Sequence, residues 1–242
     1  MEGIGERKYR NLVTAKDLVA FRVTVQETDL FVMAEKPLSR ETRDAVARHR
    51  HSIEAYIGSH SQFRESLIPL QDDPLAPKIV REMLQASQQC GVGPMAGVAG
   101  AMSHFVGEDL LNHSRDVIIE NGGDIYMRSS KKRRVAIYAG LSPFSLKIGL
   151  IISSKNTPVG VCTSSGTVGH SRSFGQADAV CVVSKSSTLA DAAATAVGNS
   201  IMSKNDIEEG LTRARQIDGV MGVVVVVADA LGVWGDIEIV RI

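Results

Sequence analysis

Two periodicities take turns along the chain. Between residues 8 and 35 apolar and polar positions alternate, with Phe21, Val23 and Val25 on one side and Leu30–Met33 after a polar turn. That period of two predicts an N-terminal β-hairpin. After Pro37 the spacing lengthens. Ser39 reads as an N-cap, Glu41 and Asp44 follow in the first turns, and a helix runs to about Ile57. Val46, Ile53 and either Tyr56 or Ile57 face inward. Residues 58–73 are polar and irregular, with Phe63, Leu67 and Ile68 as apolar anchors. Pro74 to Gln89 predicts a second helix burying Ile79, Val80, Met83 and Leu84, and Gly91 ends it.

Small residues dominate 91–107 (GVGPMAGVAGAMSHFVG), which suits a helix packed closely against a sheet or a ligand. The letters G-V-G-P-M-A match a dinucleotide-binding turn, but such a turn follows a strand, and the residues before this one are helical. His104 reads as a packed histidine. Asp116–Arg128 predicts a hairpin turning at Asn121-Gly-Gly. Strands follow at 134–139, 146–153 and 159–166, then at 177–184. An exposed amphipathic helix spans Asn205–Gln216. Two closing strands, Gly222–Ala228 and Asp236–Ile242, are joined by a turn around Trp234. Hairpin connections outnumber crossovers, so the expected class is α+β: residues 1–242 as one domain of mostly antiparallel sheet packed with helices.

Composition narrows the function. Lys+Arg and Asp+Glu are 27 each, so the formal net charge is zero. That argues against nucleic-acid and membrane-surface binding, which favour a basic excess. The longest apolar run, Val220–Ala228, is far short of the roughly 20 residues that span a bilayer. MEGIGERKYRN has no apolar signal core, so the expected compartment is the cytoplasm. Cys90, Cys162 and Cys181 have no CxxC spacing and read as reduced structural thiols. Lys131–Arg134 reads as a solvated basic turn. His49 and His51, two apart on a helix, do not share a face, and that face reads as solvated.

The chemistry concentrates in 161–199. Nine of the fourteen residues from Cys162 to Gly175 are Gly, Ser or Thr, a loop able to bring donors to an anion. After a buried strand, Ser-Ser-Thr caps an Ala-rich helix, LADAAATAVGN. Asp191 and Thr195 lie four apart on it and share a face. A carboxylate beside a hydroxyl suits a hydrated divalent cation on a phosphate ligand. The plain alternative is a surface Asp with a Thr hydroxyl on a backbone carbonyl. Gly122 and Gly123 either simply turn the hairpin or let the backbone approach a ring or phosphate, with Asp124 on a polar edge.

Several strings in fixed order resemble one family. ENGGDI at 120–125 resembles the GGD hairpin of the FAD:protein FMN transferases, the ApbE-type superfamily. ADAAATA at 190–196 resembles its ADALATA helix, and SSG at 164–166 followed by His170 resembles its SG…H loop. VGPMAGVAGA, ENGGDIY and CTSSGTVGHSRSFG resemble strings of a short prokaryotic branch of that superfamily. The resemblance implies an ApbE-like fold and magnesium held by Asp191, Thr195 and the carbonyl of Ala99. It implies FAD lying across Asn121, Gly122, Gly123 and Asp124, with its phosphates on Ser164, Ser165 and Gly166. It also implies transfer of FMN to a Ser or Thr of an acceptor flavoprotein, releasing AMP, with His170 as acid/base.

The family's H-x-x-D-P becomes His170-Ser-Arg172-Ser-Phe174: the acid is gone, and Arg172 adds a positive charge or a phosphate-binding fork to the loop. Its A-K-G-Y becomes Ala99-Gly100-Ala101-Met102. The expectation is therefore a magnesium-dependent enzyme acting on FAD or a related phosphorylated nucleotide. One alternative is a non-catalytic binder of flavin or another phosphorylated ligand. Another is a serine hydrolase using Ser164 or Ser165 with His170, which would need a strand-to-helix elbow. Edge strands are where a homodimer would pair.

Overall fold

The computed structural model describes residues 12–167 and 174–242. His170 and Arg172 lie outside the described residues. The alternating segments form eleven strands, β1 Val19–Val25, β2 Thr28–Ala34, β3 Val117–Asn121, β4 Asp124–Arg128, β5 Arg133–Ala136, β6 Ile148–Ile152, β7 Val159–Ser164, β8 Ala179–Ser184, β9 Val220–Val227, β10 Ala230–Gly235 and β11 Glu238–Arg241. The helices are α1 Ser39–Ser59, α2 Gln62–Glu65, α3 Lys78–Cys90, α4 Val98–Leu110, α5 Ser187–Asn199 and α6 Ile207–Gln216. Among the described residues no helix is long and apolar enough to cross a membrane.

One sheet has eight strands in the order β1-β2-β3-β4-β7-β8-β9-β10, every neighbour antiparallel. A second has three, β11-β6-β5, also antiparallel. The large sheet is covered on both faces, which explains runs such as VMGVVVVV that look uniformly apolar. Its side chains still alternate. Val180, Val182, Val223 and Val225 meet α5 and α6, while Leu30, Val32, Val117 and Ile119 meet α1, α3 and α4. Ile118, Ile125, Cys181, Val224 and Val226 point the other way, onto Val135, Leu150 and Ile152 of the small sheet. The α+β class with antiparallel sheets is thus the observed one.

Several local expectations are corrected. Leu38, not Ser39, occupies the α1 cap position and makes no side-chain cap bond. α3 begins after Pro77 rather than at Pro74, because a residue that precedes proline is held out of the helical region. Phe63 is fully buried, but Leu67 and Ile68 are 63% and 70% exposed and anchor nothing. Trp234 lies inside a strand, not a turn. The chain reverses at Ala228-Asp229, and β10 returns along β9 before β11 crosses to the small sheet. The His49 face is not solvated: Nε2 of His49 lies 2.8 Å from Asp109 Oδ2. The basic run is solvated at Lys131, Lys132 and Arg134, but not at Arg133, whose side chain is only 4% exposed. The three cysteines are buried and free.

The contact that positions the site is α4 against α5. Gly100 sits where a Cβ would lie 2.2 Å from the Ser187 carbonyl oxygen and 2.7 Å from the Asp191 Cβ. No side chain fits there without separating the helices. Gly100→Ala is expected to cost about 1–3 kcal/mol in denaturant unfolding, the usual penalty of overpacking. Unchanged stability would mean that the two helices are not in this contact.

Candidate functional site

The ends of β3, β4 and β7 come out at one edge of the large sheet, and α5 crosses over them. Asp124 pairs with Cys162 across β4 and β7. Ser186 caps α5 by accepting from the Leu189 N–H at 3.2 Å. The cap directs the helix back over the sheet, carrying Asp191 and Thr195 to the strand ends. There they line a cleft of about 1160 Å³ together with Ala99, Asn121, Gly122, Gly123, Asp124, Ser164 and Ser165. Asp191 is only 8% exposed, so the reading of a surface Asp does not hold. The Thr195 hydroxyl makes no hydrogen bond among the described residues, unlike Thr42, whose hydroxyl donates to the Leu38 carbonyl at 2.7 Å.

The turn beside them is tightly held. Gly122 and Gly123 have φ of 70° and 109°, the left-handed region that glycine enters without strain. The Gly123 N–H donates to Glu120 Oε1 at 2.8 Å. The Asn121 amide donates to the Ala99 carbonyl at 3.1 Å, tying the turn to α4. The Gly100 N–H donates to Asp191 Oδ2 at 2.8 Å, tying α4 to α5. Ala99, Asn121 and Asp191 are therefore linked through one backbone segment.

Two carboxylates share this buried space. Burial pushes the Asp191 carboxyl up to about 7, against the pull of the Gly100 and Ala99 N–H groups. Burial first, and then the nearby charge of Asp191, push Asp124 well above the ordinary aspartate range. One oxygen of Asp124, Oδ1, is buried without a hydrogen-bond partner. Burial likewise raises the Cys162 thiol, and Asp124 adds to the effect. Carboxylates driven towards protonation, with one oxygen unpartnered, are what a bound cation would relieve.

Ser164 is buried and Ser165 is half-buried, and both line the cleft. Gly166 is exposed and does not line the cleft; its N–H donates to the Ala177 carbonyl at 2.9 Å. Among the described residues the next element after Ser164 and Ser165 is β8 and not a helix, so no nucleophile elbow of a serine hydrolase is seen there. Phe174 rejoins the cleft, its N–H donating to Asn199 Oδ1 at 2.9 Å. Sequence reasoning missed Glu27, Arg64, Glu65, Tyr138 and Asn199, all of which line the cleft. Glu27, Arg64, Glu65 and Tyr138 come from distant segments that no spacing marks, whereas Asn199 lies four residues beyond Thr195 on the same face of α5.

The fold that builds this cleft is shared with solved flavin transferases. The structure of Pseudomonas stutzeri flavinyl transferase ApbE, apo form, superposes with a TM-score of 0.60 at 16% identity, covering 90% of this chain and 94% of that one. The flavin transferase ApbE from Vibrio cholerae gives 0.58 at 13% identity, covering 90% and 96%. At such identities the likeness shows the fold.

The chain belongs to the family described as AbpE bacteria, whose family model matches residues 10–233. A UPF0280 protein of Methanococcus aeolicus is 38% identical over 222 residues, 89% of this chain and 90% of the relative. Another, from Methanosarcina acetivorans, is 37% identical over 216 residues, covering 88% and 85%.

Proposed function

We propose that this protein is a magnesium-dependent enzyme of the flavin-transferase type, acting on FAD or a related phosphorylated nucleotide. The observation that carries the reading is the shared cleft: the buried Asp191 and the free hydroxyl of Thr195 beside the Asn121–Asp124 turn.

The residues present fit magnesium. Asp191, Thr195 and the Ala99 carbonyl are hard oxygen donors, and the unpartnered Asp124 oxygen is a further one close by. Among the described residues no three His, Cys, Asp or Glu side chains converge, which suits an ion that keeps waters and substrate phosphates as ligands. Bound there, magnesium would neutralise charge developing on a pyrophosphate.

The chain's own groups do the rest. The Gly122–Gly123 backbone admits a ligand without a side chain in the way, and Ser164 and Ser165 present hydroxyls to phosphate oxygens. An acceptor hydroxyl oxygen would form the new bond to the FMN phosphorus as the pyrophosphate P–O bond breaks. AMP would leave with the bridging oxygen, and His170 would take the hydroxyl proton. Arg172 would add a cation to the same loop. A Ser or Thr of an acceptor flavoprotein is the expected nucleophile, with water as the substitute when no acceptor is present.

The test is purified protein with FAD, analysed for AMP by chromatography. AMP is expected with magnesium and not with EDTA. A protein that stays yellow and releases no AMP in magnesium would overturn the enzyme reading in favour of non-catalytic flavin binding.

A further inference from the structure

Five charged residues line the cleft among the described ones: Glu27, Glu65, Asp124, Asp191 and Arg64. Arg64 alone is a cation. A pocket whose ionisable side chains are acids but for one offers a phosphate little positive charge, so the position of that guanidinium has consequences for the ligand.

Arg64 stands on the short helix α2, which is firmly seated. Its neighbour Phe63 is fully buried and packs edge-on against Tyr56, with ring centroids 5.2 Å apart. The next loop is pinned as well. Gly93 approaches Ser66 so closely that a Cβ would lie 1.9 Å from the Ser66 carbonyl oxygen. The Ser66 hydroxyl also donates to the Ile68 carbonyl at 2.7 Å. Yet the guanidinium itself makes no ion pair or side-chain hydrogen bond among the described residues. The nearby acid Glu27 is taken by Arg50, whose Nη2 lies 2.7 Å from Glu27 Oε2. An exposed cation on a seated helix, lining the cleft beside a Glu27 already paired with Arg50, is free to fork onto an anionic ligand.

We infer that Arg64 forms a second anion subsite of this cleft, separate from the Asp191–Thr195 pair, and that it selects ligands carrying a phosphate or pyrophosphate. The inference rests on the nucleotide reading above and adds a specificity-determining residue to it. The subsite supplies charge from the protein itself, so it acts on a phosphate whether or not a metal is bound.

The experiment compares wild-type protein with Arg64→Gln and Arg64→Lys. FAD and riboflavin are titrated by flavin fluorescence, and ADP and adenosine by calorimetry, all in magnesium. Arg64→Gln is expected to weaken FAD and ADP about tenfold or more while leaving riboflavin and adenosine unchanged. Arg64→Lys should recover part of the loss, as a point charge without the fork. Equal loss for phosphorylated and unphosphorylated ligands, or no loss for either, overturns the subsite. ADP binding that depends on Arg64, with no binding of FAD, sinks the flavin reading and leaves the subsite standing. Wild-type protein that binds none of the four overturns both.

Discussion

Asp191→Asn is expected to lower magnesium affinity and any metal-dependent turnover by at least about 100-fold, while unfolding stability stays level or rises. The first effect follows from loss of the charged donor that α5 itself supplies. Changes one shell further out already cost about 10–100-fold at metal sites. The second follows from burial. Asp191 is almost fully enclosed, and its carboxyl is already driven up to about 7 by desolvation. An asparagine keeps an oxygen to accept the Gly100 N–H and removes a charge that the interior disfavours. Activity and stability should therefore move apart, the mark of a group retained for chemistry rather than for the fold. Manganese binding followed by electron paramagnetic resonance, with guanidinium unfolding alongside, measures both. Wild-type manganese affinity in the variant would remove Asp191 from the metal site. A large loss of stability would make it a structural acid.

Much of this site was legible because its parts are local. A glycine pair between two strands marks a turn with positive φ, and Asp and Thr four apart on one helix must share a face. Their meeting could be anticipated only through the family resemblance. In the structure it depends on Gly100, which lets α4 lie against α5. What stayed hidden depended on long-range placement. Arg64 reaches the cleft because Phe63 plugs a core far along the chain, and no periodicity reports that. Trp234 was assigned to a turn because Gly232 and Gly235 flank it, yet its pairing with Val223 on the sheet overrides local propensity. Leu67 and Ile68 are apolar but exposed beside the cleft, so hydrophobicity alone misplaced them. The basic run at 131–134 looks solvated because sequence cannot show that one of its four side chains is buried against the enclosed Asp116 while it pairs with the exposed Asp17.

That arginine is the basis of the largest stability effect expected outside the cleft. Arg133→Met should destabilise the fold by about 3–5 kcal/mol, the usual cost of breaking a buried ion pair from one side. Arg133 opens β5, and its guanidinium lies 2.5 Å and 3.0 Å from the two oxygens of Asp17. It also reaches Asp116 Oδ2 at 3.4 Å and Ser129 Oγ at 2.8 Å. Asp116 precedes β3 and is itself buried, so the arginine clips the small sheet and the N-terminal segment onto the large sheet. Methionine would fill the volume of the aliphatic stem but leave the Asp116 carboxylate supported only by Ser129 and Ser130. A pH series separates charge from packing. Arg133, and after it Lys131, hold the Asp17 carboxyl far below the usual aspartate range. The folded protein therefore keeps that charge where the unfolded chain has already taken up a proton. The associated stability is present above about pH 4 and is lost as the pH falls further. Wild-type unfolding free energy should fall on acidification below that point. In Arg133→Met the part of the slope due to Asp17 should shrink, since only Lys131 remains to hold the charge. Equal slopes in the two proteins would mean that the arginine stabilises by packing its stem and not by pairing.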